Sequence, residues 1–72
     1  MTMELIGTST LTTRTNEVKK ASLYKYTAIN GEEKYMVLHE YMDIDNNIMQ
    51  SCTNIFEDIN AAIRYVNKIT EL

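Results

Sequence analysis

Four groupings of side chains in this sequence are of the types that do chemistry: His39-Glu40, Cys52, the acidic run Asp43-Ile-Asp45-Asn-Asn47, and a set of tyrosines around residues 24 to 41. His39 and Glu40 form an acid-base pair in sequence, but neighbours in a strand point to opposite faces and cannot act on one substrate. Cys52 sits among neutral residues, with no second histidine nearby in sequence, and reads as a small buried apolar residue. The acidic run opens like a calcium loop, with oxygen ligands at alternate positions. It then departs from that pattern, because the sixth position is Ile48 where glycine is needed and the twelfth is Asn54 where a bidentate glutamate is needed. A glycine-rich phosphate loop and a serine nucleophile elbow are both missing. The sequence therefore predicts a non-enzymatic protein with no catalytic residue, no metal site and no cofactor.

The elements that position these groups follow from periodicity and turn chemistry. Glu4 to Thr13 is rich in β-branched residues and polar over much of its surface, which predicts an edge strand over about 4–13. Arg14 to Lys20 is polar and reads as a connection. Asn30-Gly31 is the preferred pair for a two-residue type I′ hairpin turn between strands at about 21–29 and 33–43. In that register Ile29 faces Glu32 and Tyr26 faces Tyr35. One face then carries Tyr24, Tyr26, Tyr35, Val37, His39 and Tyr41, and the other carries Leu23, Ile29, Met36, Leu38 and Met42. A three-residue loop with a bulge would change which residues share a face.

Asp45-Asn46-Asn47 marks a second turn, leading to a short fourth strand at about 48–53. Ile59, Ala62, Ile63, Val66 and Ile69 then recur at steps of three and four, the stripe of an amphipathic helix over about 58–71. Asp58 is its natural N-cap, Glu57 adds negative charge at the positive end of the dipole, and Lys68 lies near the negative end. The predicted fold is α+β: an antiparallel β-meander of three to four strands followed by one C-terminal helix packed on one sheet face. Residues 1–72 form a single domain, since so short a chain cannot support a second core.

Composition narrows the jobs open to such a domain. With 44% hydrophobic residues, two glycines and no proline, the chain lies outside the range of disorder. The single cysteine excludes an intrachain disulfide framework and fits a reducing, cytoplasmic setting. The first residues lack the basic flank and apolar run of a signal peptide, and no segment approaches the roughly 20 apolar residues of a membrane span. Net charge is -3, concentrated in residues 35 to 72, where two basic side chains (Arg64, Lys68) stand against six acidic ones. That balance disfavours nucleic acid and suits a partner protein with a basic surface.

If the helix covers the Leu/Met face, the tyrosine face is left free. Tyr24, Tyr26, Tyr35, Val37, His39 and Tyr41, with the turn acids Asp43 and Asp45, are then the expected partner-binding residues. The expected function is protein interaction, of the kind served by a small phage or mobile-element inhibitor that blocks a host protein, with homodimerisation as a further source of buried area. The alternative is a dimeric single-strand nucleic-acid binder that stacks bases on the tyrosines. His39-Glu-Tyr-Met-Asp-Ile-Asp-Asn-Asn47 followed by Ile59-Asn-Ala-Ala-Ile63 loosely resembles the single-strand-binding domain of positive-cofactor-type transcriptional coactivators. The resemblance covers about half of the chain and implies that alternative. Residues 36 to 63 lack the lysines and arginines that the family uses on phosphates.

Overall fold

Three turns of one design shape the sheet. In each, a five-residue frame is closed by its first residue's N–H donating to its fifth residue's carbonyl, while the fourth N–H donates to the first carbonyl. The frames are Thr13–Glu17, Ala28–Glu32 and Asp43–Asn47. Their fourth residues, Asn16, Gly31 and Asn46, have φ of 63°, 86° and 64°, the left-handed region that glycine and asparagine tolerate best. These residues recur every fifteen positions, so the strands between them are of similar length. In a computed structural model that describes residues 2–70, the order is β1 (Thr2–Thr12), β2 (Val18–Thr27), β3 (Glu33–Met42), β4 (Ile48–Phe56) and α1 (Ile59–Ile69). The strands form one antiparallel sheet in the order β1-β2-β3-β4, with the helix packed against it, an α+β architecture.

Boundaries differ modestly from expectation. β2 begins at Val18, so Lys19 and Lys20 belong to the strand and not to the connection, and β4 runs three residues past Thr53. Glu71, at the expected end of the helix, lies outside the described residues. Asp58 caps the helix as expected, its side chain accepting from Asn60 N–H at 3.1 Å.

The hairpin between β2 and β3 corrects the expected register. Its loop is three residues, Ile29-Asn30-Gly31, instead of the two-residue type I′ turn, with Asn30 Oδ1 accepting from Glu32 N–H at 3.0 Å. Ile29 is expelled from the ladder and is 93% exposed. The pairs become Tyr26 with Lys34, Tyr24 with Met36, Leu23 with Val37 and Ala21 with His39. Because side chains alternate along a strand, moving the pairing by one residue exchanges the face of every β3 side chain relative to β2.

The helix therefore covers a different set from the one expected. Ala21, Leu23, Val37 and Ala62 are the buried apolar core, bordered by Tyr35, Phe56, Tyr65, Val66 and Ile69. Ala21 on the sheet and Ala62 on the helix are both fully buried, which fits a close approach of the two backbones. Tyr65 joins the packed stripe because its ring meets Phe56 at 5.3 Å between centroids and its hydroxyl accepts from Asn54 Nδ2 at 2.8 Å. That rotation turns Ile63 outward, leaving it 42% exposed over a small groove of about 180 Å³ beside Gly7 to Ser9 of β1.

Gly31 tests the turn assignment. A Cβ built there would meet no other atom within 4 Å, so the cost of adding one is conformational and not a clash. Gly31→Ala is expected to lower stability by about 1 to 2 kcal/mol. Its chemical denaturation midpoint should fall with an unchanged slope.

Candidate functional site

The side of the sheet away from the helix is the candidate site. Because β1 pairs Leu5 with Tyr24, β2 pairs Tyr24 with Met36 and β3 pairs Met36 with Ile55, these four residues form one row across all four strands. Met3 and Tyr26 begin the next row, in which Lys34 faces Tyr26, and Leu38 lies on the other side beside Ser22. Met3, Leu5 and Ile55 are 53%, 55% and 66% exposed, and Tyr24, Tyr26, Met36 and Leu38 are half-buried by one another. Ser22 is the buried polar group of this face and receives a long hydrogen bond from Thr8 Oγ1 at 3.5 Å. A shallow cavity of about 360 Å³ opens among Met3, Tyr26, Lys34, Tyr35, Met36 and Ile55, at the end of the sheet near the β2–β3 turn. Among the described residues of the strands, charge on this face is limited to Lys20 opposite Glu40, and Lys34.

The expected partner-binding residues are thus divided. Tyr24 and Tyr26 lie on the uncovered face, as expected. Tyr35, Val37, His39 and Tyr41 lie on the helix side, because their register partners are Lys25, Leu23, Ala21 and Lys19. Val37 is fully buried in the core and is closed to any partner. Tyr41 donates a hydrogen bond to Glu17 Oε2, and Thr15 Oγ1 donates to Oε1 of the same carboxylate. These two bonds, Thr15's foremost, hold the Glu17 carboxyl below its usual range, while the Glu17 carboxylate raises the Tyr41 phenol.

Asp43 and Asp45 sit at the other end of the sheet, roughly 30 Å from the cavity at 3.3 Å per strand residue. Asp43 Oδ1 accepts the backbone N–H of Asp45 at 2.9 Å and of Asn47 at 3.0 Å. Those bonds, Asn47's first, hold its carboxyl below the ordinary range and identify it as a turn-stabilising group. Asp45 remains exposed. Among the described residues no three His, Cys, Asp or Glu side chains are grouped to hold a metal ion, and no helix is long and apolar enough to cross a membrane.

Cys52 is exposed instead of buried, on the edge strand β4. It faces His39 across the β3–β4 ladder, with Sγ 3.9 Å from Nδ1. Sequence separation concealed this contact, which the register creates. Nε2 of the same ring is shut off from solvent and has no hydrogen-bond partner among the described residues. Nucleophilic pairs of this type need a third group that orients the imidazole. Tyr65, close to Cys52 and Asn54, has its phenol raised chiefly by burial.

Met3, Leu5 and Ile55 were not predicted as site residues. The alternation of Met3 and Leu5 is the sequence signal that points to them, but it breaks at the β-bulge that leaves Ile6 without a partner. No family model matches the chain, and comparison with curated proteins and with solved structures returned no match.

Proposed function

We propose that this chain is a non-enzymatic interaction module that docks the uncovered sheet face onto an apolar surface of a partner protein. The observation that carries the reading is the row Leu5-Tyr24-Met36-Ile55, left uncovered by the helix across the whole sheet and continuous with Met3, Tyr26 and Leu38. Contiguous apolar area of this kind is uncommon on monomeric soluble domains, and aromatic and methionine side chains are enriched at interface centres. The cavity is of a size to receive one projecting aromatic or aliphatic side chain, with Lys34 at its rim to meet an acceptor beside that anchor. Outside this face the chain is net acidic, which favours a partner whose apolar surface is ringed by basic residues. Binding that occupies a partner's working surface makes the module an inhibitor or regulator of that partner, acting in the cytoplasm.

The decisive test substitutes Met3→Lys and Leu5→Lys together, since both side chains are more than half exposed and lie on the sheet face away from the core. Stability should change by no more than about 0.5 kcal/mol per site, checked by circular dichroism and denaturation. A protein retained by the immobilised wild-type chain from an extract of its source cells should be released by the double variant. Retention that persists in the folded variant places docking elsewhere. A single-stranded oligonucleotide titrated at low salt should show no binding, and salt-dependent binding lost in Tyr24→Ala/Tyr26→Ala would replace this reading with the nucleic-acid one.

A further inference from the structure

We propose that the outer edge of β4 pairs antiparallel with β4 of a second copy of this chain, forming a continuous eight-stranded sheet with Cys52 facing its own counterpart across the two-fold axis. Among the described residues no strand pairs with that edge. Soluble proteins normally protect long edges with charge, proline or an irregularity. Ile48–Phe56 contains neither proline nor a charged residue, and Ile48, Met49 and Ile55 are all more than half exposed. The other edge, β1, is interrupted in mid-strand by its bulge near Ile6 and carries Glu4, whereas the irregularity of β4 lies near its start, at Met49. The occupant follows from symmetry and charge: β4 sets no like charges against each other when two copies of this chain pair along it, and an antiparallel edge complements itself about a two-fold axis. The helix lies chiefly over β2 and β3 and reaches β4 through Tyr65, so it leaves the outer side of β4 clear.

Symmetry sets the register. A two-fold axis normal to the sheet keeps each side chain on its own face, and paired residues share a face, so one residue must stand opposite itself. Centring on Cys52 pairs residues whose numbers sum to 104, which overlaps the whole of Ile48–Phe56. It also brings the exposed Ile55 to the end of the ladder where Met49 of the second copy stands. The irregularity opposite Tyr41 and Met42 leaves Gln50–Asn54 as the regular centre of the ladder.

Hydrogen-bond direction agrees with this placement. The Ala28–Glu32 closure starts an alternation that directs the backbone groups of His39 toward β4 and those of Cys52 toward His39. The N–H and C=O of Ser51 and Thr53 therefore point outward and are free to pair with Thr53 and Ser51 of the second copy. Cys52 then forms a non-hydrogen-bonded pair, in which Cα atoms lie about 4.5 Å apart, within the disulfide range.

The test uses the full chain in solution. Sedimentation velocity should give a dimer of twice 8.3 kDa. Diamide should convert it to a reducible covalent dimer: two Cys52 thiols lose two hydrogens, one S–S bond forms, and diamide takes up both hydrogens as its hydrazine. Thr53→Pro removes an outward N–H without touching the β3 ladder and should weaken association at least about tenfold, with a parallel loss of cross-linking. Ser51→Lys/Thr53→Lys places lysines opposite lysines across the axis and should also give monomer, so the result stands even if the proline variant fails to fold.

A wild-type monomer at its highest soluble concentration overturns the proposal, as does a dimer indifferent to both folded variants. Faster cross-linking of Cys52→Ser/Thr53→Cys than of the wild type overturns the register. Met3→Lys/Leu5→Lys lies on the opposite edge and should leave the dimer intact, so failure here and failure of the face-docking reading are told apart.

Discussion

Val37→Asp is expected to leave the chain without a cooperative unfolding transition at room temperature. Val37 lies at the centre of β3, fully buried between Leu23 and the helix. Its burial contributes roughly 1.5 to 3 kcal/mol, and a buried carboxylate with no partner costs several kcal/mol more. Domains are stable by only about 0.05 to 0.15 kcal/mol per residue, which for 72 residues is roughly 4 to 11 kcal/mol. Loss of the far-ultraviolet strand and helix signal together with loss of the thermal transition checks this. A folded Val37→Asp protein of near-native melting temperature would mean that Val37 is not in the core.

The second large effect reverses the ranking that sequence suggests. Ile63 falls on the predicted apolar stripe, so its truncation reads from sequence as the costly change. In the structure it is 42% exposed, while Ala62 is fully buried between helix and sheet. Ala62→Leu is expected to destabilise by about 1 to 3 kcal/mol, because three added carbons must displace the helix from Ala21 or force strained rotamers. Ile63→Ala is expected to cost about 1 kcal/mol, because nearly half of the side chain is already in water. Parallel urea titrations of the two variants settle the order. A larger loss for Ile63→Ala would mean that the helix is rotated relative to this account.

The uncovered face was legible only in part, and particular residues show why. Tyr24 and Tyr26 were identified because β2's alternation is unambiguous. Met36 and Leu38 were placed under the helix, and Tyr35 and His39 on the free face, because Asn30-Gly31 serves two turn types that differ by one loop residue. The competing signal lay in the spacing of Asn16, Gly31 and Asn46, which follow the same frame at each of the three connections. Thr13 and Asp43 begin the other two frames with side chains that bond the turn backbone, Thr13 Oγ1 accepting from Glu17 N–H at 3.2 Å. Ala28 has no such group, so the middle turn looked like a different kind. The contact of Cys52 with His39 was hidden for a related reason, since it depends on cross-strand register alone.

From the sequence alone came a meander of three to four strands followed by a helix, the places of the turns, the cap at Asp58 and the amphipathic character of residues 59 to 69. These are local properties, set by backbone preferences and by periods of two and 3.6 residues that need no distant partner. Tertiary structure decided which sheet face the helix covers and how far the helix is rotated on it. Leu23, Val37 and Ala21 share a face only in the three-residue-loop register, and only that face pairs a small residue with Ala62 and offers Phe56 and Asn54 to Tyr65. The free-energy difference between two turns of the same asparagine and glycine is small, so packing across the sheet made the choice and left Met3, Met36, Tyr24 and Tyr26 facing outward.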